Sequence, residues 1–421
     1  MKTSSKVNLF HVYIFLLLVL PIVNNYRIFP VAFIYLFGVF GLLVFLYAHD
    51  AIRLKVKITL ILYYVYAFIM AIIMMAGQRD TSIFMIGMRL VYLTLVLINF
   101  YIFAYQIWDY EYAIRIYKTV CLIISVLIII QYGLSLVGRP ISLIPSGLIS
   151  NTGERLTTDS IRAAQVSENR FSTFFLEPAH QSQYTVPCIA ILLLSDITSK
   201  IRNNLLLSIV MTVAVFATTS MQGILACGIV WSIYLFDLFQ TRGAKKFTKL
   251  LFLIPIIIVV AVFFWQQPII QYQIYKKATS FNSGNIYLGT SMYRRLKYGW
   301  DCYADLDLIH KIFGCGYDNA GSYLYNTGIG LRYVTYEQIG YMSGLSKMFC
   351  EMGIVGSFLN LSATVLFVAK NMNKNRIVLA LLVTWFVIML TSSAFDGLAS
   401  LIPLIFMMNL VSRKNDLWED I

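Results

Sequence analysis

Charge is what this chain has least of. Only 13% of its 421 residues are Asp, Glu, Lys or Arg, against about 25% in an ordinary soluble domain. With 59% hydrophobic residues and a mean hydropathy of +0.74, the chain carries more apolar surface than a soluble core can hide, whereas a bilayer accommodates it. Paired metal ligands are missing too. Six cysteines (Cys121, Cys188, Cys227, Cys302, Cys315, Cys350) are scattered without a C-x-x-C pair, which excludes zinc-ribbon and thioredoxin-like readings. The four histidines, His11, His49, His180 and His310, are isolated. The first apolar run has no small-residue cleavage site and leads at once into a second run, which argues against a removable signal peptide. Low-complexity linkers and a clear internal repeat are also lacking.

The net charge is +13, yet the basic residues sit in short clusters between apolar runs and not along one stripe, so a nucleic-acid partner is not indicated. Runs long enough to cross ~30 Å of hydrocarbon at ~1.5 Å per residue fall at about 9–25, 28–48, 58–76, 83–106, 118–137, 180–197, 203–219, 222–239, 250–265, 343–369, 377–393 and 396–412. This pattern predicts an all-α polytopic membrane protein of about twelve spans, with residues 1–421 forming a single integral membrane domain. Alternate connections carry Arg53/Lys55/Lys57, Arg115/Lys118, Lys200/Arg202, Arg242/Lys245/Lys246/Lys249 and Lys370/Lys374/Arg376, and both termini join that set through Lys2/Lys6 and Arg413/Lys414. With twelve spans all of these fall on one side, which predicts a cytoplasmic N-terminus and C-terminus. Two long polar stretches, 138–179 and 266–340, then face outward, and loops of that length are usually functional.

The first outer loop ends in Arg170-Phe171-Ser172-Thr173-Phe174-Phe175-Leu176-Glu177-Pro178-Ala179-His180. An arginine and a carboxylate at a membrane mouth can bind a phosphate and accept a proton. Equally, they can form an ion pair that fixes the loop, with Pro178 opening the helix at its first position. Glu177 is the best-placed base, Glu351 the alternative and His180 a third. In the second loop, a helix through Ser291–Asp301 places Met292, Leu296, Tyr303 and Leu306 on one face and Arg294, Asp301 and Asp305 opposite. Arg295 borders the apolar face, where it can meet a lipid-linked pyrophosphate or ordinary anionic lipid. Gly314-Cys315-Gly316 is a lone Gly-x-Gly, which by itself marks only a turn. Lys347 and Glu351 are spaced to pair along a helix. Arg89 lies ~9 Å inside its span and either snorkels or faces a polar cavity. Cys302 and Cys315 share one loop, so a disulfide in an oxidising compartment and two small core residues are both open readings.

In this order the motifs resemble the O-antigen polymerases of the Wzy type, within the wider O-antigen ligase and polymerase group. The likeness rests on Arg170 through Glu177-Pro178 entering a helix and on Arg294/Arg295. It continues through Phe313-Gly314-x-Gly316-Tyr317-x-Asn319 and Glu351-x-Gly353-Ile354-x-Gly356 at a helix start. With the two outer loops it covers nearly the whole chain. One departure matters: ligases and many relatives carry a His-Asn pair just before the last motif, where this chain has Met342-Ser343. That favours a polymerase and leaves the base unassigned. The arginine–glycine spacing described in some polymerases is not clear here.

The resemblance implies a GT-C-like glycosyltransferase at the outer face of the bacterial inner membrane. It would move a growing glycan from undecaprenyl pyrophosphate to a new lipid-linked repeat unit, without a cofactor. Glu177 and Arg170 are the expected catalytic residues, and Arg294, Arg295, Arg89, His180 and Glu351 the expected pyrophosphate-binding set. The expected partners are undecaprenyl-pyrophosphate-linked oligosaccharides, the bilayer, a chain-length regulator and a flippase. An O-antigen ligase and a flippase for the same lipid-linked units are the alternatives. A transporter keeps its working charges at the midplane, whereas the polar residues here concentrate in the outer loops.

Overall fold

Helices dominate the computed structural model, which describes residues 2–24, 26–28, 31–48, 58–76, 83–96, 106–145, 149–150, 158–198, 204–240, 293–366, 375–392, 397–419 and a few isolated positions. Helices α1 (Lys2–Val23) and α2 (Phe33–Ala48) are joined by a hairpin of β1 (Tyr26–Ile28) and β2 (Val31–Ala32). There follow α3 (Ile58–Ala76), α4 (Ile83–Val96), α5 (Tyr110–Leu136), the short strand β3 (Ile149–Ser150) and α6 (Thr158–Ser167). Next come α7 (Pro178–Thr198), α8 (Asn204–Ala217) and α9 (Met221–Gln240). The second polar loop contributes a π-turn at Arg294–Tyr298 and the helices α10 (Gly299–Asp305), α11 (Leu308–Phe313) and α12 (Ala320–Asn326). The chain ends in α13 (Gly344–Leu361), α14 (Arg376–Thr391) and α15 (Leu398–Glu419).

The described residues are helical as expected, and at one rim the three short strands form a small antiparallel sheet in the order β2-β1-β3. Arg27 pairs with both Ala32 and Ile149. The second span, expected from residue 28, starts at Phe33 instead. Pairing accounts for this, since Val31 and Ala32 are taken up in the hairpin opposite Ile28 and Arg27. The sheet ties the first polar loop to the α1–α2 corner, and the Tyr26 hydroxyl adds a bond to the Phe174 carbonyl at 2.5 Å.

Three helices are long and apolar enough to cross a membrane: α5, α9 and the stretch Gly344–Val365, with seven shorter apolar helices beside them among the described residues. Their outward faces are greasy. Leu43, Leu46, Leu206, Phe236, Phe239 and Phe358 are each more than half exposed, a surface that soluble monomers rarely present. The run expected at 250–265 and the second loop before residue 293 lie outside the described residues, scattered positions apart.

α7 is the central helix. It packs against α5, α8, α9, α14 and α15, and every residue from Gln181 to Leu194 is buried. A helix covered on all sides needs no polar face, yet its first half carries Gln181, Ser182, Gln183 and Thr185, all at most 3% exposed. Such groups must find partners inside the protein or in a ligand.

Residues 293–350 have a small core of their own, including Tyr298, Cys302, Leu306, Cys315, Leu324 and Met342. Cys302 and Cys315 are free thiols packed within it. The expected apolar face of the 291–306 helix is only partly right, because Leu296 is 44% exposed while Tyr298, Cys302 and Leu306 are buried. The π-turn explains the slip: its wider i→i+5 hydrogen-bonding rotates the register before α10 begins. This cap locks onto α13, which is interrupted at Gly353 (φ +60°, ψ −171°). The Cys315 amide donates to the Cys350 carbonyl at 2.8 Å and the Gly316 amide to the Glu351 carbonyl at 2.9 Å. From α3, the Tyr66 hydroxyl lies 2.7 Å from the Phe313 carbonyl and 2.9 Å from that of Met352, spanning both motif segments.

Candidate functional site

The first polar loop reaches the bundle as a tightly held turn. After α6 the Arg170 amide donates to the Gln165 carbonyl at 3.0 Å, and the Thr173 amide donates to the Gln131 side chain at 3.1 Å. The Gln165 amide bonds the Ser172 hydroxyl, and that hydroxyl reaches the Phe175 carbonyl at 2.5 Å. Thr173 adopts φ +51°, an outlier for a β-branched residue that persists only where its surroundings enforce it. This network delivers Glu177 to the start of α7, where Pro178 occupies the first helical position. A carboxylate there is favoured by the helix dipole.

The second loop brings Arg294 and Arg295 to the same place, on the π-turn. Arg295 Nη2 lies 3.4 Å from Glu177 Oε2, and its Nη1 lies 3.5 Å from the Gln222 side-chain oxygen on α9. Arg294 stacks its guanidinium over Tyr341 at 5.7 Å. Arg170 pairs with Glu168 at 3.5 Å, so the direct Arg170–Glu177 ion pair considered from sequence is replaced by two pairs, Arg170–Glu168 and Arg295–Glu177. Arg170 still acts on Glu177 through its charge. Burial raises the Glu177 carboxyl, and the charges of His180, Arg295 and Arg170 together outweigh it, leaving the group below its usual range. Glu177 is thus an ionised partner of the arginines. Burial and the adjacent Arg295 charge push Arg294 down from its ordinary value, although a guanidinium remains charged in any case.

Five residues singled out in the sequence therefore converge: Arg170, Glu177, His180, Arg294 and Arg295. Three arginines share two carboxylates, which leaves positive charge in excess. The Nε atoms of Arg170 and Arg294 are buried with no hydrogen-bond partner among the described residues. Arg170 and Arg295 retain 32% and 36% of their side-chain exposure, so the site is open on one side. An anion with several oxygens fits such a set, since each guanidinium offers a planar fork of donors.

Arg89 and Glu351 belong to a different cluster. Arg89 donates to Asn319 at 2.9 Å and lies 3.7 Å from Asp318. Lys347 lies 3.3 Å from Asp318 and 3.4 Å from Glu351, as its i,i+4 spacing predicts. Glu351 is 1% exposed and accepts from the Asp318 amide at 3.0 Å. These four charged groups fasten α4 and the cap to α13. Among the described residues no group of three or more His, Cys, Asp or Glu is placed to hold a metal ion.

Sequence reasoning missed Gln222, Tyr341 and Asp318. Asp318 stood inside a motif, between Tyr317 and Asn319, and Tyr341 just before Met342-Ser343; Gln222 sits at the edge of an apolar run and carried no signal of its own.

These features define a class: a helical protein of membrane character, with a polar cap closing over an arginine-rich site at one end of the bundle. Comparison with family models, with curated proteins and with solved structures finds no match to this chain.

Proposed function

We propose that the chain is a polysaccharide polymerase of the O-antigen type, acting on polyprenyl-pyrophosphate-linked sugars at the outer face of the bacterial inner membrane. In this reading it spans the membrane about twelve times in a GT-C-like arrangement, with both termini inside. The observation that carries it is the convergence of Arg170, Arg294 and Arg295 on Glu177 and His180. The reaction is a displacement at an anomeric carbon. The acceptor hydroxyl forms the new C–O bond, the bond from that carbon to pyrophosphate oxygen breaks, and the electron pair leaves with pyrophosphate. The arginines stabilise the charge that builds on the leaving group. Glu177, already ionised, accepts the hydroxyl proton or orients His180 to do so. Holding two lipid-anchored reactants together supplies much of the remaining acceleration.

A ligase is less well supported. The positions where ligases carry His-Asn are given to structure: Met342 is 1% exposed in the core of the cap, and Ser343 caps α13 by accepting from the Ser346 amide at 3.2 Å. Gene deletion followed by lipopolysaccharide electrophoresis tests the proposal. A polymerase mutant keeps core bearing a single repeat unit. Core alone, with polymer retained on the lipid carrier, identifies a ligase instead, and repeat units trapped inside identify a flippase.

A further inference from the structure

The turn between α8 and α9, Thr218-Thr219-Ser220, lies against the polar first half of α7. Ser182 and Thr218 approach to 3.4 Å through their hydroxyls, and one residue further along each segment stand Gln183 and Thr219. Both are buried, at 3% and 4% exposure. Gln183 Oε1 and Thr219 Oγ1 have no hydrogen-bond partner among the described residues. A buried polar atom left unsatisfied is costly, and in a native protein it calls for a ligand or a bound water.

Two further observations connect these atoms with the arginine site. Gln222, the second residue of α9, lies 3.5 Å from Arg295, and Gln183 is three residues from His180 on α7, on neighbouring positions of the helix surface. In addition, Thr219 adopts φ +56°. A β-branched residue in the left-handed region is strained, and such strain collects at ligand sites. The same turn would be relaxed with glycine, so the hydroxyl at position 219 is held there at some expense in stability.

From this arrangement we infer that Thr219, Gln183 and Gln222 form a neutral hydroxyl-binding subsite beside the arginines, which takes the sugar ring attached to the pyrophosphate. The inference rests on the pyrophosphate reading above. The donors and acceptors carry no charge, as suits sugar hydroxyls or an acetamido group, while the arginines next to them serve the phosphates.

Binding of two probes to the full-length protein in lipid nanodiscs tests it: undecaprenyl pyrophosphate alone, and the same lipid bearing one N-acetylhexosamine. The wild type should bind the glycosylated probe more tightly. Thr219→Val, which deletes one hydroxyl, should reduce that preference roughly three- to tenfold, the range of one hydrogen bond, without changing affinity for the bare lipid. Thr219→Ser should retain the preference. Thr219→Gly should lose it while raising the melting temperature. If Thr219→Val does not fold, Gln183→Leu reads the same loss. Equal wild-type affinity for both probes, or an unchanged preference in Thr219→Val or in Gln183→Leu, overturns the subsite and leaves the pyrophosphate reading standing. Failure of the wild type to bind either probe overturns both.

Discussion

Gly314 and Gly353 lie backbone against backbone: a Cβ on Gly314 would sit 2.1 Å from the Glu351 carbonyl oxygen, and one on Gly353 would sit 2.5 Å from the Gly314 amide nitrogen. Both residues have positive φ, +83° and +60°. The two glycine motifs read separately in the sequence are therefore the two halves of one joint between the cap and α13.

Alanine at either position should disrupt that joint. With ψ of 175° and −171° both lie in a region nearly confined to glycine, which costs an L-residue about 1–3 kcal/mol, and the obstructing atoms are main chain, which cannot rotate away. Gly314→Ala and Gly353→Ala should each lower the melting temperature markedly and expose Cys350 to thiol reagents. Gly321→Ala is the control: its Cβ would find its nearest atom at 4.0 Å, and it should melt like the wild type or slightly higher.

The pair of Lys347 with the buried Glu351 gives a second expectation. Removing one partner strands a charge, which typically costs about 3–5 kcal/mol, whereas removing both is far milder. Lys347→Met should therefore destabilise strongly, and Lys347→Met with Glu351→Gln should recover much of the loss. A double-mutant cycle from thermal melts measures the coupling. An additive cycle would show that the 3.4 Å contact contributes nothing.

How much of this was legible beforehand varies by element. The apolar runs located most helices, because a segment that meets lipid must be apolar and of a set length. Pro178 marked the start of α7, and Lys347–Glu351 followed from helical spacing. Leu296 was misplaced because a π-turn leaves no trace in hydrophobic periodicity. The direct partner of Glu177 was not legible, because Arg170 is near in sequence whereas Arg295 arrives from 118 residues away. Gln222 and Thr219 look like ordinary polar residues at the edge of a span; only the packing of α7 against α8 and α9 gives them meaning.

Acid stability should carry the signature of Glu177. Its carboxyl titrates below the ordinary value in the folded protein, so its contribution is complete above the unfolded value of about 4.3. It is lost as pH falls through the depressed folded value. The melting temperature should stay level from pH 7 to about 5 as far as this group is concerned, then fall at more acid pH. Glu177→Gln should flatten part of that fall. Because the side chain is 44% exposed, solvent screening keeps the effect modest. An identical acid limb in wild type and variant would show that the Arg295 contact does not bias its charge.

The arginines give the most direct functional expectation. Arg170 and Arg295 each present a guanidinium fork to the same open site, and lysine retains the charge but not the two parallel donors. If they hold the leaving pyrophosphate, polymerisation should fall by roughly two to three orders of magnitude on removing one such contact. Arg170→Lys should then be nearly as impaired as Arg170→Ala. Arg295→Lys separates two roles, since it retains a charge beside Glu177 while losing the fork. Near-wild-type melting with lost polymerisation places Arg295 on the substrate, whereas a parallel loss of both assigns it to holding the loop. Chain-length distributions from cells expressing each variant at wild-type levels supply the measurement, with membrane abundance checked by immunoblot. Full-length polymer from a well-expressed Arg170→Ala protein would remove that residue from the mechanism and leave Arg294 and Arg295 as the pyrophosphate-binding pair.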